Sequence, residues 1–344
     1  MTEGLDSLAA AERRLLRPAC HPHWVAPMLA TLTDRPFSDP TWVYERKLDG
    51  ERCVAYKRGN DVRLLSRTRR SLNATYPELV DAIAAQGAGD MVVDGEVVAF
   101  AGSQTSFSRL QKRLGISDEV RARHSPVRVH YYLFDVVHLG GYDLTALSLR
   151  ARKALLRRAV RFEEPIRYTP HRNEDGESLF ADACARGWEG LIAKRAAAPY
   201  VSRRSPAWLK FKCAAAQEMV VGGFTEPSGT RIGIGALLVG YHEDGVLRYA
   251  GKVGTGYPGA VLGNLRRLLD ALVRPSSPFA GSVLERGVHW IEPQLVVEVA
   301  FTEWTPDGKL RHPRFVGVRT DKAPADVRRE RPRAYPGARV RARA

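Results

Sequence analysis

The stretch Lys47-Leu48-Asp49-Gly50-Glu51-Arg52 carries more information than any other part of this chain. It follows the β-like run Trp42-Val43-Tyr44-Glu45 and places one lysine beside an acidic residue and a glycine. Gly50 has no Cβ, so the backbone can pass closely beneath a bound molecule there. A lysine is nucleophilic only after it loses its proton, which partial burial and neighbouring cations both favour. The stretch predicts a reactive lysine at a strand end, whereas a surface lysine paired with Asp49 or Glu45 is the structural alternative.

Five further groups of residues follow this stretch and give it weight. Each sets charged side chains in or beside an apolar run. They are Asp94-Gly95-Glu96, Leu133-Phe134-Asp135, Glu189-Gly190-Leu191-Ile192-Ala193-Lys194-Arg195, Trp208-Leu209-Lys210-Phe211-Lys212, and Arg314-Phe315 with Arg319-Thr320-Asp321-Lys322. Chance explains one such group, but not the whole set in one order.

Glu96 and Phe134 each allow two interpretations. An acidic residue among β-branched neighbours costs free energy unless it has a partner, and a ribose hydroxyl or Mg²⁺ would serve for Glu96. The alternative is a bulge at Asp94-Gly95 that turns Glu96 towards solvent. Phe134 lies in a run dense in aromatic residues, where a place in the core and stacking on a base are both compatible with the pattern.

The later lysines suit a phosphate. Lys210 and Lys212 alternate with apolar residues, so on a strand they share one face, and their repulsion falls when they meet an anion. A solvated edge strand protected by lysines is the alternative. Glu189 and Lys194 would point to opposite faces of a regular strand, so a shared site requires a kink, for which Gly190 is the candidate.

Composition and charge limit the classes of protein that this chain can be. Its 344 residues are enough for two domains, each with its own core. The formal net charge of +15 is spread along the length of the chain and predicts a polyanionic partner such as nucleic acid. A basic surface that is simply solvated would have the same net charge.

Cysteine spacing and hydropathy predict an intracellular, soluble protein. The cysteines at positions 20, 53, 184 and 213 show no zinc-ligand spacing and are too few for a disulfide framework, which favours a reducing cytosol. The N-terminal residues have no secretory signal, and no apolar run approaches the ~18 residues that a membrane span needs. We therefore expect no membrane partner and a cytoplasmic location.

Short strands with separate helices, and no regular βαβ alternation, predict an α+β fold. Residues 5–17 have helical composition, with Asp6 or Ser7 as the N-cap. Beyond Cys213 the sequence pattern predicts short strands and one helix, which is compatible with a small β-barrel such as an OB-fold. The predicted parts are an N-terminal extension (1–23), a first domain (24–215), a barrel domain (216–327) and a basic, disordered tail (328–344).

With these groups taken together, the chain resembles the ATP-dependent DNA ligases, most strongly the bacterial ligase module of non-homologous end joining. The resemblance covers roughly residues 25–325. It implies an α+β nucleotidyltransferase (adenylation) domain followed by a β-barrel OB-fold domain. It also implies ATP as the nucleotide, held as lysyl-AMP, and Mg²⁺ or Mn²⁺ as the metal.

The resemblance further implies a role for each matching residue. Lys47 is the adenylated nucleophile, assisted by Asp49, and Lys210 and Lys212 hold the α-phosphate. Around the nucleoside, Glu45 lies near the adenine, Phe134 stacks on the base, Arg52 and Glu96 contact the ribose, and Lys194 lines the nucleotide site. Glu189 and Glu96 bind the metal, Arg67 engages the 5′-phosphate of the DNA, and Arg319, Asp321 and Lys322 orient pyrophosphate. Nicked or broken double-stranded DNA is the implied substrate of a monomeric enzyme.

The end-joining members of that family often carry polymerase and nuclease domains, neither of which is present in these residues. If the protein joins ends, a separate repair polymerase and a Ku-type end-binding protein are its expected partners. Three alternatives stay open at this point: an RNA ligase, a GTP-using capping-type nucleotidyltransferase, and a non-catalytic nucleic-acid-binding relative.

Overall fold

The structure is a computed structural model that describes residues 4–33, 35–227 and 233–332. It divides into two compact units, the first holding the described residues up to Cys213 and the second running from Ala214 to Glu330. No helix in the described ranges is long and apolar enough to cross a bilayer.

Helices and mainly antiparallel strands build the first unit, and the predicted α+β class is confirmed. Its strands are β1 (Arg17–Pro18), β2 (Leu29–Leu32), β3 (Trp42–Arg46), β4 (Glu51–Arg58), β5 (Asp61–Ser66), β6 (Asp90–Val98), β7 (Phe100–Ala101), β8 (Gln104–Thr105), β9 (His130–Leu139), β10 (Tyr142–Asp143), β11 (Ile166–Tyr168), β12 (His171–Asn173), β13 (Gly190–Arg195) and β14 (Arg204–Lys212). Its helices are α1 (Ala10–Arg13), α2 (Pro77–Ala84), α3 (Phe107–Leu110), α4 (Glu119–Arg123), α5 (Leu149–Ala159) and α6 (Gly176–Ala185).

Two sheets face each other in this unit. Sheet I has the strand order β1-β10-β9-β6-β4-β5, with β11 beside β9, and sheet II has the order β12-β3-β13-β14-β2. One face of sheet I packs on α2 and α5, where Leu79 and Leu155 are buried. Its other face meets sheet II through a second apolar cluster that joins Val54 and Phe134 to Trp208. The singled-out groups that belong to the first unit therefore lie on or next to strands that border the space between the sheets.

The second unit consists of β15 (Ala216–Thr225), β16 (Leu237–Glu243), β17 (Val246–Val253), α7 (Gly259–Asp270), β18 (Val273–Arg274), β19 (Val288–Ala300) and β20 (Arg314–Val318). The strands follow the order β17-β16-β15-β19-β18, and β20 pairs with β19. A bridge between Thr255, just beyond β17, and Arg314 brings the two ends of the β17-to-β20 path together. This closure gives the barrel that the sequence predicts, and the one helix predicted in this domain is α7.

The predicted helix over residues 5–17 is wrong in its extent. Leu5–Ser7 form a 3₁₀ turn, α1 covers four residues only, and Arg17–Pro18 pair with β10. Leu5 and Leu8 are buried in the core of the first unit. Tertiary packing and strand pairing therefore override local helix propensity in this segment.

The expectation that the cysteines do not pair is also wrong, because Cys184 and Cys213 form a disulfide. Their separation of 29 residues gave no motif to recognise, and α6 and the end of β14 bring them together. In the C-terminal segment, Arg328 and Glu330 bond through their backbones to the Gln217 side chain on β15. The remainder of the predicted disordered tail, from residue 333, lies outside the described residues.

Candidate active site

One face of sheet II carries most of the predicted site residues. Residues that pair across antiparallel strands share a face, so the register of β3, β13 and β14 defines rows of neighbouring side chains. The rows are Val43–Lys194–Trp208, Glu45–Ile192–Lys210 and Gly190–Lys212. Lys47 follows β3 and extends the last row, because its N–H donates to the Gly190 carbonyl oxygen at 2.9 Å. Three lysines and one glutamate from distant positions thus converge beside Lys47.

Glu189 reaches this face through the kink predicted at Gly190, which is confirmed. Gly190 has a φ of +146°, a conformation that residues with a Cβ rarely adopt. A Cβ at this position would also lie 1.8 Å from the Phe211 carbonyl oxygen. The turn lets the Glu189 carboxylate pair with the Lys47 ammonium, and both side chains are about one-fifth exposed.

Replacing Gly190 by alanine is expected to destabilise the first unit by about 1–3 kcal/mol, since the backbone must leave its φ and the Cβ contact is impossible. It should also impair any chemistry that depends on the Glu189–Lys47 pair. Gly87→Ala is the matched control, because no atom lies within 4 Å of its added Cβ. Urea denaturation of both variants measures the effect, and equal midpoints would contradict the strain argument.

Glu45 and Lys194 form a buried charge cluster with Lys153 of α5. The two ammonium groups each lie 2.6 Å from a different Glu45 oxygen, and all three side chains are at most 3% exposed. Burial raises the pKa of Glu45, but the two lysines outweigh it and hold that pKa below its usual value. Burial dominates at Lys194 and lowers its pKa to about 8, despite the attraction of Glu45. The pKa of Lys194 therefore lies well below that of an exposed lysine, although the side chain remains paired with Glu45.

Lys153 was not predicted as a site residue, although the sequence contains a signal for it. Arg152 and Lys153 stand three and four residues after Leu149, at spacings where a helix buries apolar side chains. A basic residue at such a position requires a buried acidic partner. For Lys153 that partner is Glu45, and for Arg152 it is Asp135 on β9.

On sheet I, the Arg52 guanidinium forms an ion pair with Asp94. The guanidinium makes two contacts of 2.6 Å with the Asp94 carboxylate and donates to the Met28 carbonyl oxygen at 3.1 Å. Its carbon lies 4.6 Å from the centre of the Phe134 ring, and Lys194 Nζ lies 4.1 Å from the same centre. Phe134 thus joins the predicted residues of the two sheets. Asp94 itself, fully buried, was overlooked as a site residue.

Glu96 and Asp49 lie beside this group. Glu96 is half-buried and pairs in register with Arg52 across β6 and β4. The Asp49 carboxylate accepts the Phe107 N–H at 2.9 Å, so it fixes the start of α3. A Cβ on Gly50 would lie 2.2 Å from the Val97 carbonyl oxygen, which explains the glycine by close approach to β6.

Arg67 lies in the turn that follows β5, and its side chain is half-buried. A neighbouring acid that was not predicted, Glu51, is fully buried and pairs with Arg70 and Tyr76 at 2.6 and 2.7 Å. These contacts hold the turn against β4, so the position of Arg67 is set by a buried network.

Arg319, Asp321 and Lys322 belong to the second unit, where they form an ion cluster of their own. Arg319 makes two 2.9 Å contacts with Asp321 and one of 3.2 Å with Glu298, while Lys322 pairs with Glu218 at 2.9 Å. Burial raises the pKa of Asp321, but Arg319 outweighs it and holds the pKa below its usual value. The ion pair with Arg319 therefore favours the charged form of the Asp321 carboxylate.

Two family models match this arrangement of residues and units. The model described as "ATP dependent DNA ligase domain" matches residues 27–212, and the one described as "ATP dependent DNA ligase C terminal region" matches residues 230–322. This chain belongs to the ATP-dependent DNA ligases. The predicted order of an adenylation domain and an OB-fold domain is confirmed, as is the resemblance that led to it. The assignment favours DNA ligation over the RNA-ligase and capping alternatives.

Curated relatives and a solved structure are similar to this ligase. The multifunctional non-homologous end joining protein LigD of Pseudomonas aeruginosa is 39% identical over 92% of this chain and 38% of its own length. The LigD protein of Mycobacterium tuberculosis is 36% identical over 89% of this chain and 40% of its own. The structure of mycobacterial DNA ligase D complexed with ATP and MES is 34% identical, with a TM-score of 0.63, over 88% of this chain and 97% of that one. The ligase thus spans about two-fifths of these curated relatives.

Proposed function

We propose that this ligase joins 5′-phosphate and 3′-hydroxyl ends of DNA, using ATP, through lysyl-AMP and DNA-adenylate intermediates. The observation that carries the proposal is the contact between Lys47 and Glu189 on a face that also presents Lys210 and Lys212. A nucleophile, a carboxylate next to it and two further cations are the groups that transfer of a nucleotidyl group requires.

Lys47 performs the first step. Lys47 reacts in its neutral form, after its ammonium has lost one proton to solvent: the Nζ lone pair attacks the α-phosphorus of ATP, a P–N bond forms, and the P–O bond to pyrophosphate breaks. The departing Lys47 proton goes to the Glu189 carboxylate, which already contacts Nζ. Lys210 and Lys212 neutralise the charge that grows on the α-phosphate oxygens, and Arg319, Asp321 and Lys322 orient the pyrophosphate.

DNA takes part in the two later steps. A 5′-phosphate oxygen, held by Arg67, attacks the adenylate phosphorus, so that the P–N bond to Lys47 breaks and AMP is carried by the DNA. The 3′-hydroxyl then attacks the 5′-phosphate phosphorus, a phosphodiester bond forms, and AMP leaves. Both steps are in-line phosphoryl transfers, in which positioning and charge neutralisation supply most of the catalysis.

The adenosine lies, in this proposal, between the two sheets. Phe134 stacks on the base, the buried cluster of Glu45 and Lys194 lines the same region, and Arg52 with Glu96 faces the ribose. Asp49 supports Lys47 by fixing α3 against the reactive stretch. These roles account for buried charges that a purely structural site would not need.

The residues fit a divalent metal ion as well. Glu189 and Glu96 offer carboxylate oxygens, which are the ligands that Mg²⁺ and Mn²⁺ prefer, and both side chains are half-buried beside sheets rich in cations. When bound, such an ion neutralises charge on the transferring phosphate.

The substrate is double-stranded DNA that is nicked or broken, and the high positive charge supports binding to its phosphates. Because the curated relatives are named as end-joining proteins, we place this ligase in DNA repair by non-homologous end joining. A Ku-type end-binding protein and a separate repair polymerase are its partners in this proposal. The ligase acts as a monomer in the bacterial cytoplasm.

Labelled nucleotides test the proposal. Protein stripped with pyrophosphate is incubated with Mg²⁺ and either α-³²P-ATP or α-³²P-GTP, and then with nicked duplex DNA or a matched nicked RNA duplex. We expect label from ATP that stays on the protein through a denaturing gel, and that nicked DNA discharges into a sealed product. Label from GTP alone, or discharge by RNA but not DNA, would replace the proposal with one of the alternatives.

A further inference from the structure

A cavity lies on the first unit, and none of the predicted site residues lines it. Its volume is about 690 Å³, and its walls include Cys20, His21, His23 and Asp90. The reactive stretch and the lysines of sheet II do not line it. The proposed ligation chemistry gives this cavity no task.

Two of the lining residues, His21 and Asp90, form a group of three side chains with metal-ligand chemistry, which the buried His138 completes. Asp90 Oδ1 lies 2.6 Å from His21 Nδ1, and Asp90 Oδ2 lies 3.0 Å from His138 Nε2. One ligand atom from each residue lies within 4.8 Å of the other two. The carboxylate therefore stands between one ring nitrogen of each histidine, where a metal ion would otherwise stand.

The backbone holds these residues in place from three separate segments. Asp90 opens β6 and His138 lies near the end of β9, its neighbour in sheet I, while the Gly141 N–H fixes Asp90 Oδ2 at 2.9 Å. His21 follows β1, and the Ala19 N–H bonds to the Gly141 carbonyl oxygen at 2.9 Å. A site built on paired strands is pre-organised, so little ordering is needed when a ligand binds.

The exposure of the three residues also suits a site that opens to one side. The His138 side chain is 2% exposed and that of His21 is 10% exposed, whereas Asp90 keeps 30% of its surface accessible. Asp90 thus offers its carboxylate to the cavity that it lines.

We propose that His21, Asp90 and His138 bind a Zn²⁺ ion, with the fourth position of a tetrahedral site open to the cavity. Two imidazole nitrogens and one carboxylate are a donor set that Zn²⁺ favours over Mg²⁺ or Ca²⁺. His21 Nδ1 and His138 Nε2 bind the ion through their lone pairs, so in each neutral ring the proton moves to the other nitrogen. Bonds of ~2.0–2.1 Å place the ligand atoms ~3.3 Å apart, which small side-chain rotations achieve from the observed spacing.

The bound ion fastens the segment around His21 to sheet I, and this consequence can be measured without any ligation assay. The full chain is treated with a chelator and titrated with Zn²⁺ in a calorimeter, and with Co²⁺ while its visible d–d bands are recorded. We expect one equivalent to bind, and the thermal midpoint to rise with Zn²⁺. His21→Gln and Asp90→Asn should each weaken binding by at least about 100-fold.

His23→Gln is the matched control, because His23 is exposed and lines the same cavity but is not one of the three ligands. Its affinity for Zn²⁺ should equal that of the wild type. Circular dichroism shows whether a variant is folded, and if Asp90→Asn is not, His21→Gln decides the question. Absence of stoichiometric binding by the wild type, or equal weakening by His23→Gln, would overturn the site.

Discussion

Replacing Lys47 by arginine is expected to reduce labelling by α-³²P-ATP by at least about 10³-fold, which in practice means to background. The guanidinium keeps its proton at any pH at which the protein is folded, so it has no lone pair for the α-phosphorus. Arginine can still pair with Glu189, because it keeps the positive charge and a similar reach. The loss would therefore come from chemistry and not from unfolding.

Two comparisons make this result specific to Lys47. Lys112→Arg makes the same chemical change at an exposed position outside the site and should label like the wild type. DNA that already carries a 5′-adenylate needs no lysine nucleophile, so the Lys47→Arg variant should still seal it at a measurable rate. Residual label on the variant would point to Lys210 or Lys212 as the nucleophile, and loss of both activities would indicate a disturbed site.

The shared strand face of Lys210 and Lys212 could be predicted from the sequence, because these residues lie at strand positions of fixed period. Lys210 and Lys212 alternate with buried residues, as predicted, and the register of β13 and β14 places them opposite Ile192 and Gly190. The kink at Gly190 could be inferred because an acid and a base on opposite faces of one strand cannot share a site. Local periodicity was sufficient in these cases.

The partners of the buried charges could not be inferred in the same way. Glu45 and Lys153 are 108 residues apart in sequence, and Arg52 and Asp94 are 42 residues apart. Only the packing of the sheets and α5 therefore shows which acidic residue pairs with which basic residue. The N-terminal segment was misjudged for the same reason, since Leu5 and Leu8 are defined by the core that they enter. Single-sequence patterns indicate that a buried charge needs a partner, but not which residue supplies it.

Replacing Asp135 by leucine is expected to destabilise the first unit by about 3–5 kcal/mol, because it leaves the buried Arg152 guanidinium without its counter-ion. Both side chains are fully buried, with Arg152 Nε 2.7 Å and Nη2 3.0 Å from the two Asp135 oxygens. Hydrogen exchange measured on peptides of β9 reports the opening of this unit separately from the barrel. Protection should fall by about 10²–10⁴-fold, since each tenfold change corresponds to about 1.4 kcal/mol.

The double variant Asp135→Leu, Arg152→Met separates the charge from the packing. The double variant no longer buries an unpaired positive charge, so much of the protection of β9 against hydrogen exchange should return. Recovery should be incomplete, because Arg152 also donates to the carbonyl oxygens of Leu147 and Ala198, which then lose a buried donor. Asp81→Asn, at an exposed pair with Arg123, should leave β9 unchanged. If the single and double variants lose equal protection, the stability comes from side-chain shape and not from the buried ion pair. If the single variant loses no protection, water must reach Arg152, and the Asp135–Arg152 pair is accessible to solvent in solution.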